Sequence, residues 1–129
     1  MSKKKKNPSR IKVLYRQVKI KDKSPDALRQ AAEYFDEFGA AAIWKDGSRY
    51  RYKITFRTSL ESKRDSLFKN FGGVRAEQPS WYWLNLFGKR AKVFLVAVYP
   101  HLTRKKKVAM VFLKFSDLIE TNKRRRLTE

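Results

Sequence analysis

The sequence predicts an α+β domain, a four-stranded antiparallel sheet backed by helices in the order α-β-β-α-β-β-α-α. Three observations predict it. Residues 40–57 and 74–87 each hold two short β-type runs split by a turn signal, the mark of a hairpin. Apolar residues recur at helical spacing before, between and after these pairs. One strand alternates apolar with basic residues, so the sheet has one face for a core and one left open.

The first helix is expected over Pro25 to Phe38. Ser24 can cap its free N–H groups, Pro25 suits the first helical position, and Asp26 favours the positive end of the dipole. Leu28, Ala31, Ala32 and Phe35 form its apolar stripe, and Gly39 is expected to stop it. Ala40 to Trp44 reads as a strand, and KDGS at 45–48 as a hairpin turn. In the next strand Tyr50, Tyr52, Ile54 and Phe56 share one face. Arg49, Arg51, Lys53, Thr55 and Arg57 share the other.

TSLE at 58–61 fits a capping box for a second helix, with Leu60, Arg64, Leu67, Phe68 and Phe71 on its stripe and Gly72-Gly73 as its end. Val74 to Glu77 is the third strand, QPS at 78–80 a turn, and Trp81 to Phe87 the fourth strand. Alternation sets Tyr82, Leu84 and Leu86 against Trp81, Trp83 and Asn85. The second set is assigned to the open face. Gly88 breaks the strand, Lys89 to Tyr99 is a helix, and Pro100 ends it. His101 falls in the following turn as a structural residue. Thr103 is placed as the cap of a last helix running to about Asn122, buried through Val108, Val111, Phe112, Phe115 and Ile119.

Charge narrows the function. The 129 residues carry a formal +20, which destabilises a compact chain by self-repulsion unless something anionic binds. Residues 1–23 contribute +9 and residues 121–129 +3. These are read as basic arms adding sequence-blind phosphate affinity, with a short bulged strand or an arm that orders on binding at 11–20. Residues 24–120, read as the folded domain, keep +8. No cysteine is present and only one histidine, which excludes disulfides, thiolate–zinc sites, thiol nucleophiles and most Ser–His chemistry. The longest apolar run, Val93 to Tyr99, is far short of a membrane span. Nothing apolar follows the basic N-terminus, so the expected location is intracellular (cytoplasm, nucleoid or organelle) and not secreted.

Several segments together resemble the LAGLIDADG homing endonucleases. The motif segment is AAEYFDEFG at 31–39, where Ala32, Asp36 and Gly39 match and Phe35 suits an apolar position. FGG at 71–73, the aromatic strand at SWYW 80–83, and PHLTRK at 100–105 follow in the family's order. The resemblance covers about residues 25–120. It implies a saddle-shaped four-stranded sheet whose concave face lies on duplex DNA. It also implies a homodimer through the motif helices, and an acid at the motif's eighth position that binds Mg²⁺ beside the scissile phosphates.

Two departures change that expectation. The eighth position is Phe38, which cannot ligate a metal. Glu37 lies about 100° away around the helix. Asp36, Glu37 and Lys105 are therefore the only catalytic candidates; no metal ligand is assigned, and no cofactor is expected unless the chain cleaves, when it would be Mg²⁺. The third and seventh motif positions, usually small, are Glu33 and Glu37. Four such carboxylates around a two-fold axis argue against the usual homodimer. They read as a solvated face or as a surface for a basic partner protein.

The expected partner is nucleic acid, duplex DNA or structured RNA, with no membrane role. The contact residues are Lys45, Arg49, Arg51, Lys53, Arg57, Arg75, Trp81, Trp83, Asn85, Arg104, Lys105, Lys106 and Lys107. Arginine and lysine hold phosphates and read guanine edges, and tryptophans can stack on unpaired bases. The function expected is nucleic-acid binding without cleavage. An active Mg-dependent site-specific endonuclease of the intron-homing kind, and an RNA-binding maturase or ribonucleoprotein component, are the alternatives.

Overall fold

Ser24 starts the first helix as its sequence suggests. Its hydroxyl accepts from the Ala27 N–H at 3.3 Å, and α1 (Pro25–Phe38) follows with Pro25 in the first turn. The computed structural model describes residues 19–128, with side chains described through Thr121. The expectation of an arm or strand before Lys19 lies outside the described residues. Lys19–Lys23 lead into α1, and Asn70 fixes this segment by donating to the Asp22 carbonyl at 3.0 Å. The Asp22 carboxyl, held by the Ser24 N–H and hydroxyl, sits below the usual carboxylate range.

The elements continue as β1 (Gly39–Asp46), β2 (Arg49–Thr58), α2 (Glu61–Phe71), β3 (Val74–Gln78), β4 (Trp81–Phe87), α3 (Lys89–Val98), a 3-10 turn (Tyr99–His101) and α4 (Lys106–Thr128). The four strands form one antiparallel sheet in the order β1-β2-β4-β3. Each hairpin turn uses positive-φ backbone, at Gly47 (67°) and Ser80 (72°). The α+β class and element order expected from the sequence are those observed.

The helices cover one face of the sheet. Ala31, Ala32 and Phe35 from α1, Ile54 and Phe56 from β2, Leu84 and Leu86 from β4, and Phe94 from α3 are buried together. Phe94 meets Phe35, Phe56 and Phe71 edge-on, with centroids 6.1, 5.3 and 4.7 Å away. Each such ring pair is worth about 0.5–1.5 kcal/mol beyond its buried area.

Several local expectations are corrected. Gly39 ends α1 as expected, though not in a left-handed cap. Its φ of −93° and ψ of 159° carry the chain straight into β1. Glycine is needed there for space, because a Cβ would lie 2.9 Å from Phe35 Cα. The 58–61 capping box does not form. Thr58 ends β2 and its hydroxyl accepts from the Leu60 N–H at 3.2 Å, so Leu60, half-exposed, is the N-cap of α2. Tyr50 lies in phase with the core face but is 52% exposed, beyond the helix layer. Thr103 does not cap α4; its N–H and hydroxyl both go to Asp36.

The last helix is the largest correction. It runs to Thr128 rather than Asn122, and it buries Ala109, Phe112 and Ser116. Val108, Val111 and Phe115 are exposed. The two stripes differ by one residue, a rotation of about 100°. Packing against β1 and α3 covers the Ala109–Phe112–Ser116 stripe instead.

Arg64 occupies a core position at 1% exposure. Its Nε donates to Asp65 at 2.7 Å and its Nη1 to the Ala76 carbonyl at 3.1 Å. Glu61 and Glu77 lie 3.4 and 3.6 Å from Nη2. A guanidinium survives burial here because it is paired and hydrogen-bonded on every side. It ties α2 to β3.

Candidate nucleic-acid interface

Strand register decides which side chains reach the open face. Arg57 pairs with Trp83 and Lys53 with Phe87 across β2 and β4; Arg51 pairs with Trp44 and Arg49 with Asp46 across β1. These residues alternate with the buried Tyr52, Ile54, Phe56, Leu84 and Leu86, so they point away from the helices. From Arg49 to Arg57 the strip runs roughly 27 Å at strand rise. That is most of one duplex turn of about 34 Å.

The cations are interleaved with aromatic rings. The Arg57 guanidinium lies 4.5 Å from the centroid of Trp81. The Lys53 ammonium sits 5.6 Å from Trp44 and 5.8 Å from Phe87. Such contacts hold each cation over a ring without neutralising it. Trp81 keeps 39% of its surface exposed and Phe87 46%. Thr55 donates to Asn85 at 2.8 Å, joining β2 and β4 at the middle of the face. Asp46 is the one acid in register on this face, and it pairs with Arg51 Nε at 2.9 Å.

The structure therefore groups Arg49, Arg51, Lys53, Arg57, Trp81, Trp83 and Asn85 on one face. Lys45 pairs with Tyr50 and Arg75 with Leu84, both in phase with the helix side. Arg75 stacks on Phe68 at 4.3 Å and lies 3.7 Å from Asp65. Glu77 faces the same way, in register with Tyr82. Trp44 and Phe87 were missed by sequence reasoning. Both follow from extending alternation to the ends of their strands.

Arg104, Lys105, Lys106 and Lys107 form a second group at the start of β1. Asp36 organises it. Its Oδ2 accepts from the Thr103 N–H (2.9 Å) and hydroxyl (3.0 Å), and its Oδ1 from the Arg104 (3.1 Å) and Lys105 (2.8 Å) N–H groups. Burial pushes the Asp36 carboxyl up, but these four bonds outweigh it and hold the group below the usual carboxylate range. The Lys105 ammonium donates to the Gly39 carbonyl and lies 5.6 Å from the Phe35 ring. Burial lowers its pKa, Asp36 opposing and Arg104 adding to the shift. Lys106 sits over Tyr99 at 5.1 Å.

The three catalytic candidates thus separate. Asp36 and Lys105 meet, and both serve the 103–105 turn. Glu37 is exposed, 3.9 Å from Lys63. The Phe38 ring packs on Tyr34 (5.3 Å) and Phe56 (6.0 Å). A divalent cation at this helix end needs converging carboxylate oxygens. The residues present do not fit one, since Phe38 offers no oxygen and both Asp36 oxygens already accept two hydrogen bonds. Among the described residues no three His, Asp or Glu side chains cluster in a way that could hold a metal.

No family model and no curated protein sequence matches the chain. Solved structures do. The homing endonuclease I-CvuI, in complex with the I-CreI target in the presence of Mg with its DNA not cleaved, aligns with TM-score 0.61 at 17% identity, covering 70% of this chain and 65% of that one. A second I-CvuI structure, in complex with its own target in the presence of Ca, aligns with TM-score 0.60 at 17% identity, covering 74% and 69%. The chain spans about two thirds of the length of these structures.

Proposed function

From the LAGLIDADG homing-endonuclease fold that the chain shares, we propose that it is a nucleic-acid-binding domain that holds its target on the open sheet face and does not cut it. One observation carries the reading: Arg49, Arg51, Lys53 and Arg57 stand in one row on a face the helices leave uncovered. A row of cations at strand spacing matches a phosphate backbone, and Thr55–Asn85 between them offers polar contacts to base edges. The Arg104–Lys107 group, at the sheet end where β1 begins, adds a second set of phosphate contacts. DNA targets are the ligands of the I-CvuI structures. The absence of cleavage is argued from Phe38 and from the occupied oxygens of Asp36.

The test is charge reversal. Arg51→Glu with Lys53→Glu is expected to keep the fold, abolish high-affinity binding, and flatten the dependence of log affinity on log salt by roughly two units. Binding that survives the reversal would assign the affinity to residues outside the sheet face and overturn the reading.

A second reading, structured RNA, is favoured by the exposed Trp81 and Phe87 rings, which suit unpaired bases better than a duplex groove. Competition between duplex DNA and a stem–loop RNA at fixed salt separates the two. On either reading the motif-helix homodimer is disfavoured, because Glu33 and Glu37 are exposed on α1 where two copies would meet. The working location is intracellular, where nucleic acid is.

A further inference from the structure

The outer face of α4 is apolar and, among the described residues, uncovered. Val108, Val111, Phe115 and Leu118 are 48, 47, 49 and 58% exposed. Their spacing of three, four and three is that of a helix–helix seam. Beside them Ala41 and Ile43, on the outermost strand of the sheet, floor a groove of roughly 470 Å³. A contiguous apolar patch of this kind marks a binding surface. Apolar residues at this spacing fit the apolar face of an amphipathic helix laid in the groove.

We propose that this groove docks an acidic amphipathic helix of a partner protein. Charge selects the occupant. Lys107 lines the groove, and Lys114, seven residues on, borders the same seam. A second copy of this chain would bring the same lysines against them. It would offer little in return, because on α4 through residue 121 the acids are Asp117 and Glu120. Asp117 is paired with Lys92, and Glu120 accepts from the Tyr52 hydroxyl at 3.0 Å. A helix with apolar residues at the seam and glutamates beside it satisfies both the stripe and the lysines. Ala41 and Ile43 face the helix side while Ala42 and Trp44 face the basic strip. The groove and the basic strip on β2 are therefore separate surfaces, Lys107 alone belonging both to the groove and to the Arg104–Lys107 group, and this inference does not depend on the proposed function.

The probe is a labelled synthetic helical peptide with leucines at seam spacing and glutamates on its flanks, titrated into the full chain and read by fluorescence anisotropy. Two controls accompany it: the same peptide with lysine flanks, and a scrambled acidic peptide of equal charge without an apolar face. The glutamate-flanked peptide is expected to bind at least about tenfold tighter than either control. Val111→Asp with Phe115→Asp removes that preference and leaves nucleic-acid affinity and the far-UV spectrum unchanged. Lys107→Glu with Lys114→Glu switches the preference to the lysine-flanked peptide. Equal or no binding of the three peptides overturns the proposal. So does a sedimenting dimer that Phe115→Asp dissociates, which would make the groove a contact between copies.

Discussion

Asp36 accepts both the N–H and the hydroxyl of Thr103, 67 residues away, at 2.9 and 3.0 Å. With Arg104 and Lys105 on its other oxygen, this one carboxylate fixes the turn before α4 to the end of α1. An acid at this point of the motif is here a structural anchor, and its occupied oxygens are half of the case against cleavage.

Asp36→Ala leaves three backbone N–H groups without their acceptor. A hydrogen bond to a charged group contributes about 1.5–3 kcal/mol, and the exposed Thr103 and Arg104 can turn to water instead, so a loss of roughly 3–4 kcal/mol is expected. Urea denaturation at neutral pH measures it. The pH dependence has a definite sign. The folded carboxyl titrates below its ordinary value of 3.8, so its stabilisation is fully present above that pH and lost as pH falls through the lower folded value. Stability of the natural chain should therefore fall more steeply with acid below about pH 4 than that of Asp36→Asn. Parallel curves for the two chains would refute this role for the charge.

Arg64→Ala should cost about 3–5 kcal/mol, since it opens a cavity and strips the Ala76 carbonyl of its donor. Arg64→Met fills the space, and Glu61, Asp65 and Glu77 are exposed enough to return to water. It should cost less than half as much. Equilibrium unfolding of the pair decides between lost packing and lost pairing; equal losses would point to pairing.

Phe38→Asp restores an acid at the position where the resemblance implies one. It also removes a ring from contact with Tyr34 and Phe56, for an expected loss of roughly 2–3 kcal/mol. On the proposed non-cleaving reading a plasmid-nicking assay with Mg²⁺ is expected to show no cleavage, because Asp36 stays committed to residues 103–105 and Glu37 faces Lys63, so no second carboxylate converges on the new acid; nicking by this variant would make Phe38 the sole block.

Trp81→Ala removes the ring beneath Arg57. If the face takes unpaired bases, affinity for single-stranded nucleic acid should fall by about 1–3 kcal/mol, and for duplex by less. Titrations of both substrates at one salt concentration give the comparison. A larger loss on duplex would remove the stacking role.

Local chemistry made much of this fold legible. Ser24, Pro25 and Gly39 bracket α1, and its observed bounds, Pro25–Phe38, are those expected. Alternation in β2 and β4 located the open face, because strand periodicity is a property of the backbone. Arg75 shows where that reasoning stops. A five-residue strand with no strong alternation does not declare its phase, and only pairing with Leu84 turns Arg75 towards α2. The cap of α2 failed for a related reason, since β2 extended to Thr58 and used the residue meant for the helix.

The sequence by itself determined the element order, the basic row on β2 and a phenylalanine, Phe38, where the resemblance implies a metal-ligating acid. These rest on caps, periodicity and side-chain chemistry, all local. Only the tertiary structure decided that Asp36 is consumed by the 103–105 turn and which groups hold the Arg64 guanidinium. It alone chose between the two stripes of α4. That helix carries apolar residues on adjacent faces, and a period of 3.6 cannot say which face a distant strand will cover. Packing against β1 and α3 buried Ala109, Phe112 and Ser116 and left Val108, Val111 and Phe115 exposed.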